Sequence, residues 1–219
     1  MKRRLILLRH GQTDYNATRR MQGHLDTTLS ALGEEQARRA AKGLREFGIG
    51  KIVSSDLIRA RRTAEIVARE LGLSITEDAR LRETHLGQWQ GKTHAEVDGA
   101  DASIRAHWRN NAAWAPPEGE SRLDVAKRAR PVVDELMDSY TDWDDAAVLL
   151  VAHGGTISAL TSSLLGFAEQ QYPLLKGLGN THTSQLVAMP RYGAQDPGEV
   201  QWYLCLLYTS DAADDSLRV

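Results

Sequence analysis

The chain alternates between short aliphatic runs and longer stretches in which apolar residues recur at helical spacing. Short runs typical of buried strands lie at 5–8, 51–56, 73–76 and 146–152, and the runs 184–189 and 200–204 are predicted to pair as late strands. Helical spacing lies between Ser30 and Gly48, after Asp56, across 120–140 and over about 156–165, whereas 11–29 is predicted to be a long loop. This alternation predicts an α/β fold with a mostly parallel sheet.

Local residues indicate where the predicted helices begin and end. Ser30 is suited to cap one helix and Gly48 to end it, and Asp56 is suited to cap the next helix. Pro131 lies inside the 120–140 pattern. Because proline lacks a backbone donor, we expect it to kink this helix or to split it into two.

Polar side chains follow the predicted strands at the points where they end. Two strands end on a histidine followed by glycine, at His10 and His153, and Arg9 precedes the first of them. A third strand, 51–56, leads into a helix that carries Arg59 in its first turn. Since ligands bind beyond the carboxyl ends of the strands in open α/β sheets, we expect these groups to meet at one place.

Two histidines and two arginines are suited to bind a phosphate. Arginine presents a planar fork of donors that matches phosphate oxygens, and glycines behind the histidines allow the backbone to approach closely. Neutral imidazole can itself act as a nucleophile. The chain has no Gly-Lys-Ser/Thr phosphate loop and no His, Asp or Glu spacing typical of a metal site, so we expect neither a nucleotide cradle, a metal nor another cofactor.

Composition excludes several other classes of function. With 27 Lys and Arg against 29 Asp and Glu, the net charge of −2 gives no general reason to bind nucleic acid. No apolar run approaches the roughly 20 residues that span a bilayer, and the start lacks a signal-peptide core. One cysteine excludes an intrachain disulfide and a cysteine metal site. We therefore expect a cytoplasmic enzyme or binding protein with no membrane partner.

The domain organisation predicted for the 219 residues is simple. Residues 1–204 are expected to form a single domain with a cap-like insertion at about 86–120. Trp89, Trp108 and Trp114 are expected to serve packing, the alternative being an aromatic wall over the substrate. The tail 205–219 differs in character from the preceding chain and resembles a translated sequencing adapter. We expect it not to belong to the natural protein, the alternative being a natural, frayed end.

Six segments of the sequence resemble the signature of the histidine phosphatase superfamily, the phosphoglycerate-mutase-like proteins. They are "LLRHGQTDYN", "RMQGHLDTTLSALGEEQA", "VSSDLIRARRTAEI", "RLRETHLGQWQG", "PPEGESRLDVAKR" and "VLLVAHGGTISAL", in this order over about residues 3–204. The resemblance implies a three-layer α/β/α sandwich around a mostly parallel sheet. It also implies a metal-independent phosphoric monoester hydrolase that works through a phosphohistidine, and it makes a homodimer plausible.

The same resemblance assigns roles to individual residues. It makes His10 the nucleophile and Glu83 the general acid, with Arg9, Arg59 and a protonated His153 in the phosphate pocket. Substrate-binding positions are Asn16, Gln22, Gly23, Gly154, His85 and His182. On the residues alone, Glu83 could instead form a surface ion pair beside Arg82, and His85 could lie on the surface; His24, His94 and His107 are expected in solvent or packing.

Within this superfamily, the acid segment separates phosphatases from mutases. Mutases resemble Glu-Arg-His-Tyr there, followed by an insertion with paired arginines, whereas this chain has Glu83-Thr84-His85-Leu86 and "WAPPEGES". A phosphatase is therefore favoured. "MQGHLDTTLS", "RETHLGQWQG" and "AAWAPPEGES" resemble the branch that acts on glucosyl-3-phosphoglycerate. The alternatives are an α-ribazole-phosphate or broad-specificity phosphatase, then a mutase or a non-catalytic module that binds a small phosphorylated ligand.

Overall fold

The structure is a computed structural model that describes residues 2–99, 101–195 and 199–208. Within these ranges one sheet contains the strands β1 Arg3–Arg9, β2 Ile49–Ser54, β3 Ile75–Glu77, β4 Ala147–Ala152, β5 Thr183–Pro190 and β6 Val200–Tyr208, in the order β3-β2-β4-β1-β5-β6. The pairs β1–β4, β2–β4 and β2–β3 are parallel, and β5 runs antiparallel to β1 and β6. The predicted mostly parallel sheet and the pairing of the late strands are confirmed.

Helices alternate with the strands, as the sequence pattern predicts. They are α1 Asp14–Ala17, α2 Ala31–Gly43, α3 Ile58–Leu71, α4 His94–Asp98, α5 Ile104–Asn110, α6 Arg122–Ser139 and α7 Gly154–Leu164, with 3-10 turns at Leu44–Phe47, Ala79–Leu81, Gly87–Trp89 and Glu169–Leu174. The expectation of a continuous loop over 11–29 is wrong because the short α1 interrupts it. Thr13 and Asn16 form a capping box there, each side chain accepting from the other's backbone N–H.

The two faces of the sheet bury separate apolar clusters. Leu5 and Leu7 of β1 pack with the cluster that includes α6 and α7, whereas Ile6 and Leu8 pack with the cluster that includes α2 and α3. Successive strand residues point to opposite faces, so a continuous apolar run is needed when both faces are covered. Each such side chain contributes on the order of 1.5–3 kcal/mol. The predicted three-layer α/β/α sandwich is confirmed.

The predicted end signals of the helices are confirmed in part. Ser30 caps α2 by accepting from the N–H of Gly33. Gly48 adopts a left-handed φ of 59° and ends the 3-10 turn Leu44–Phe47 that follows α2. The prediction that Asp56 caps the next helix is wrong. Its carboxylate pairs with Arg82, 2.5 Å away, and Leu57 occupies the N-cap position without a side-chain hydrogen bond.

Pro131 lies inside one continuous helix, α6. The alternative in which it splits the 120–140 segment in two is therefore wrong. A proline removes the hydrogen bond to the carbonyl four residues earlier, here that of Lys127. Because Lys127 is exposed, water can satisfy this carbonyl and the helix continues.

The register of the central strands places the two strand-end histidines side by side. Arg9 of β1 lies opposite Ala152 of β4, so the next residue of each strand is a histidine. The chain then leaves β1 along the start of α2, where a Cβ on Gly11 would lie 2.4 Å from the carbonyl oxygen of Gly33. Only glycine fits this close approach, which fixes the path of the chain behind His10.

The segment 86–120 carries α4 and α5 and packs through its tryptophans. Trp89 is buried and meets Trp108 and Trp114 at ring-centroid distances of 5.7 and 5.5 Å, as predicted for packing. Strand β6 continues to Tyr208, beyond the predicted domain boundary, and residues 209–219 of the tail lie outside the described ones. In the described chain, no helix combines the length and apolar character needed to cross a membrane.

Candidate active site

A cavity of about 720 Å³ opens at the carboxyl ends of β1 and β4. Of the residues predicted from the sequence, those that line it are Arg9, His10, Asn16, Gln22, Gly23, Arg59, Glu83 and Gly154. The remaining three, His85, His153 and His182, are not among the lining residues. Side chains from distant parts of the chain thus meet at this sheet edge, as the strand ends predict.

His10 is held in one tautomer next to the cavity. It is 2% exposed, and its Nδ1 lies 2.7 Å from the carbonyl oxygen of Gly11. Because a carbonyl only accepts, Nδ1 carries the hydrogen and Nε2 keeps its lone pair. Burial, followed by the charges of Arg9 and Arg59, holds the pKa of His10 well below the usual 6.5. The ring is therefore neutral at physiological pH, as a nucleophile must be.

His153 lies beside His10 but beneath the lining of the cavity. It is 0% exposed, and its ring centroid is 5.1 Å from that of His10. Its Nε2 lies 2.9 Å from the Ser55 hydroxyl, and its Nδ1 is buried without a partner among the described residues. Burial, then Arg59 and neighbouring charges, holds its pKa well below 6.5. This environment favours the neutral ring in the protein without ligand, and the proton that the resemblance assigns to His153 beside a bound phosphoryl group stays a prediction.

Two buried arginines border His10. Arg59 is 1% exposed and donates at 2.8 Å to the carbonyls of Leu25 and Gly23, while Arg9 donates at 2.5 Å to the carbonyl of Leu178. Burial lowers the pKa of Arg59 to about 10 and also lowers the pKa of Arg9. Both remain cationic, and the Nε of each is buried without a partner in the described part of the chain. Unsatisfied cationic donors of this kind are suited to bind an anion.

Glu83 follows the 3-10 turn Ala79–Leu81, and its carboxylate lies against the start of α7. Its carboxylate accepts from the backbone N–H groups of Gly155 and Thr156, each at 3.2 Å, and from that of Thr84 at 2.8 Å. The N-terminus of a helix favours a carboxylate through free N–H groups and the helix dipole. A Cβ on Gly155 would lie 2.5 Å from Glu83 Oε1, so glycine is needed here. The alternative of a surface ion pair with Arg82 is wrong, since Arg82 binds Asp56.

A layer of side chains behind the cavity was missed by the sequence analysis. Arg128 of α6 donates to the carbonyls of Arg80, Arg82 and Glu83 at 2.7 to 2.8 Å, and it forms an ion pair with Glu120. It fixes the backbone that carries Glu83. Its partners are 45 to 48 residues away in the three carbonyl contacts, so helical spacing alone carries no signal for this role.

The first loop is tied to His10 through amide side chains. Asn180 donates to the His10 carbonyl at 3.0 Å and to Asn16 Oδ1 at 3.2 Å. Gln22 accepts from Thr13 at 3.0 Å and is largely buried. The predicted positions of Asn16 and Gln22 at the cavity are therefore observed, with their oxygen atoms already engaged by protein donors.

His85, His182 and His24 make hydrogen bonds to the protein backbone and do not line the cavity. His85 Nδ1 donates to the Glu118 carbonyl at 3.0 Å, and the His182 carbonyl accepts from the Arg9 backbone at 3.1 Å. His24, predicted to serve only solvent or packing, donates from Nε2 to the Glu83 carbonyl at 2.7 Å. Thus His24 supports the acid segment directly, a role that no spacing in the sequence indicates.

Further cations surround the cavity, which has a single carboxylate among its described lining residues, Glu83. The additional basic residues are Arg20, Arg109, Arg122 and Lys176. They come from four separate segments and were not predicted. Such an excess of positive charge around one carboxylate is suited to an anionic ligand.

The match to a known family decides what kind of protein carries this site. The model of the histidine phosphatase superfamily (branch 1) matches residues 5–194. The chain belongs to the histidine phosphatase superfamily. As a member with close relatives named phosphatases, it is a phosphoric monoester hydrolase, which confirms the enzyme class predicted from the sequence.

Similar proteins and structures agree with this family. The histidine phosphatase described here is 52% identical over 209 residues to glucosyl-3-phosphoglycerate phosphatase of Mycolicibacterium vanbaalenii, covering 92% of each chain. It is 52% identical over 189 residues to the protein of that name from Mycobacterium tuberculosis, covering 84% of this chain and 85% of the other. A solved structure of mycobacterial glucosyl-3-phosphoglycerate phosphatase with VO3 has a TM-score of 0.88 at 48% identity, covering 94% and 98%.

Among the residues that the structure describes, no three His, Cys, Asp or Glu side chains gather in a way suited to a metal ion. The cationic groups near His10 are instead Arg9 and Arg59. That the chemistry needs no metal or cofactor stays a prediction.

Proposed function

We propose that this histidine phosphatase hydrolyses glucosyl-3-phosphoglycerate to glucosylglycerate and phosphate, without a metal, through a phosphohistidine on His10. The observation that carries the mechanism is the neutral, buried His10, whose Nδ1 is fixed by the Gly11 carbonyl while the ring lines the cavity beside Arg9 and Arg59. A nucleophile of fixed tautomer next to two cations is what phosphoryl transfer without a metal needs.

In the first half of the reaction, Nε2 of His10 attacks phosphorus in line with the ester oxygen. The N–P bond forms as the P–O bond to the substrate alcohol breaks, and Glu83, which enters this step as the carboxylic acid, gives its proton to the departing oxygen. Arg9 and Arg59 bind the phosphoryl oxygens with the Nε donors that lack protein partners. The arginines thereby offset the charge that spreads over these oxygens in the transition state.

In the second half, water attacks the phosphohistidine. Glu83, now a carboxylate, takes a proton from this water, the N–P bond breaks, and neutral His10 and inorganic phosphate are regenerated. Glu83 thus acts first as acid and then as base. Its backbone donors at the start of α7 hold the carboxylate in one place through both steps.

His153 acts on the bound phosphoryl group from below. A phosphate dianion brought close to a neutral, buried imidazole raises the pKa of that imidazole. Nδ1 of His153, which is buried without a partner among the described residues, then carries a proton and donates it in a hydrogen bond to the anion. The proposed charge on His153 therefore appears only with substrate.

The substrate assignment is supported by the relatives and by the cavity. Two relatives at 52% identity carry the name glucosyl-3-phosphoglycerate phosphatase. The cavity of about 720 Å³ lies within the range of small-molecule sites, and its many cations suit a phosphate. A small phosphorylated substrate is thus the proposed partner, with no nucleic acid or membrane partner.

A substrate panel tests the proposal. Phosphate release is measured in excess chelator for glucosyl-3-phosphoglycerate, 3-phosphoglycerate and α-ribazole phosphate, with a coupled assay for mutase activity. We expect the highest kcat/KM for the glucosylated substrate. Faster turnover of either other ester would contradict the substrate assignment, and loss of all turnover in chelator would contradict the metal-free mechanism.

Two further properties are proposed for the protein in the cell. A homodimer is proposed from the family resemblance, and a cytoplasmic location from a sequence that has a single cysteine and no apolar run long enough to span a bilayer. Light scattering after gel filtration tests the first, and fractionation of cells tests the second. A monomer across the working concentration range would contradict the proposed dimer.

A further inference from the structure

Arg122 stands out among the cations that line the cavity. Its Nη1 is buried and has no hydrogen-bond partner, and no ion pair involves Arg122 within residues 2–99, 101–195 and 199–208. By contrast, the guanidinium of Arg128 on the same helix donates five hydrogen bonds, to three carbonyls and to both oxygens of the Glu120 carboxylate, and Arg130 binds Asp134. A buried donor left unpaired at a cavity calls for a ligand group that accepts from it.

The surroundings of Arg122 make its charge unfavourable without an anion. It is the first residue of α6, where the helix dipole disfavours a cation. Burial lowers the pKa of Arg122, and the charge of Arg109 on α5 lowers it further. Both arginines line the same cavity. An anion between them would satisfy the free Nη1 and relieve the repulsion.

This pair is separate from the groups assigned to the phosphoryl transfer. Arg9 and Arg59 come from the end of β1 and the first turn of α3, whereas Arg122 and Arg109 come from α6 and α5. One phosphate already uses the donors beside His10. The second pair therefore implies a second negative group on the same ligand.

We propose that Arg122, with Arg109 lining the same cavity, binds a carboxylate of the substrate and so selects phosphomonoesters of hydroxy acids over phosphomonoesters that lack a carboxylate. The guanidinium fork of Arg122 matches the two oxygens of a carboxylate, which accept its parallel N–H donors. The inference rests on the proposed function, whose glycerate part carries such a carboxylate. The residue proposed to bind this carboxylate is Arg122.

Competition against p-nitrophenyl phosphate hydrolysis tests the subsite. The two inhibitors are 3-phosphoglycerate and glycerol 3-phosphate, which differ only in a carboxylate against a hydroxymethyl group. Their inhibition constants are measured whether or not either compound is turned over. The unchanged chain is compared with its Arg122→Met and Arg122→Lys variants. The control is Lys127→Met, which removes an exposed charge from the same helix.

We expect the unchanged chain to bind 3-phosphoglycerate more tightly than glycerol 3-phosphate. Arg122→Met reduces this preference by about 10- to 100-fold, the loss typical of a charge-assisted hydrogen bond. Arg122→Lys, which keeps the charge but loses the fork, restores only part of the preference, and Lys127→Met leaves it unchanged. If Arg122→Met does not fold, the ratio of the two inhibition constants in Arg122→Lys tests the proposal.

Equal weakening of both inhibitors by the Arg122 variants would overturn the proposal, since Arg122 would then serve charge alone. So would the absence of any preference in the unchanged chain. The outcome is distinguishable from failure of the proposed function. If the ratio behaves as expected but glucosyl-3-phosphoglycerate is not hydrolysed, the carboxylate subsite stands and the glucosylated substrate is wrong.

Discussion

The imidazole rings of His10 and His153 lie 5.1 Å apart between centroids, with their planes inclined by 60°. Two rings more than about 10 Å apart could not both form hydrogen bonds to one anion. At 5.1 Å, both rings lie close enough to contact the same phosphoryl group. The parallel register of β1 and β4 produces it, because Arg9 and Ala152 are partners and the histidines follow. Two neighbouring strands therefore bring the proposed nucleophile, His10, and the proposed donor, His153, to the same place.

The burial of His153 predicts how stability depends on pH. The pKa of His153 is lowered well below 6.5 in the folded protein, so below pH 6.5 the unfolded chain binds a proton that the folded chain does not. Stability therefore falls as pH decreases from about 6.5 towards the folded pKa, by up to about 1.4 kcal/mol per pH unit for this histidine.

Urea unfolding between pH 7.5 and 5.5 measures this contribution. His153→Asn should reduce the slope of the unfolding free energy against pH, whereas His107→Asn, which replaces an exposed histidine, should leave it as in the unchanged chain. Identical slopes for the unchanged chain and His153→Asn would show that the buried ring is not held neutral.

Gly155→Ala tests the placement of Glu83. The added Cβ would lie 2.5 Å from Glu83 Oε1 and would push the carboxylate away from the leaving group. Loss of general acid catalysis lowers rates by about 100-fold or more. We expect kcat/KM to fall strongly for glycerol 3-phosphate and much less for p-nitrophenyl phosphate, whose leaving group needs no proton.

The matched control for Gly155→Ala is Gly43→Ala, at the end of α2, where nothing lies within 4 Å of the added Cβ. Its kinetics should equal those of the unchanged chain for both esters. Equal losses for good and poor leaving groups in Gly155→Ala would argue against Glu83 as the acid.

Arg59→Lys tests whether a guanidinium is needed beside His10. Arg59 donates to the carbonyls of Gly23 and Leu25, and its Nε, which has no partner among the described residues, is the donor proposed for the phosphoryl group. One ammonium cannot replace these three donors in the same geometry. We expect about a 10- to 100-fold lower kcat/KM, corresponding to one or more lost charge-assisted hydrogen bonds. Arg130→Lys, which alters a residue paired with Asp134, is the control and should change little.

Arg128→Ala tests a positioning role outside the cavity. Arg128 holds the carbonyls of Arg82 and Glu83, so its loss should misplace the acid and lower kcat more than it raises KM. Leaving buried carbonyls and the Glu120 carboxylate unpaired should also destabilise the fold by about 3 kcal/mol. A stability loss with an unchanged kcat would show that Arg128 serves the fold alone.

Much of the fold follows from local signals in the sequence. The apolar run Leu5–Leu8 is continuous because β1 is covered on both faces. Ser30 caps the start of α2 through a contact with Gly33, only three residues away. The strand-end positions of His10 and His153 likewise predict their meeting once the sheet is parallel. The cavity then confirms that Arg9, Arg59 and Glu83 approach the same space.

The contacts that the sequence did not predict share a physical cause, because in each of them a side chain binds a partner that is distant along the chain. Asp56 has a suitable type for a cap, but it binds Arg82 from 26 residues away. His24 donates to the Glu83 carbonyl across 59 residues, and Arg128 donates to the Arg80 carbonyl across 48. Spacing along the chain contains none of these contacts, so the structure was needed to find them.

Detection of the covalent intermediate tests the central claim most directly. Rapid acid-free quenching of the enzyme with radiolabelled substrate should trap phosphate on the protein in a linkage that survives base and is lost in acid, as a phosphohistidine does. Peptide mapping should place this label on His10, and His10→Ala should show neither label nor turnover. Label that persists in His10→Ala, or turnover of the unchanged chain with no trapped label under single-turnover conditions, would contradict the account.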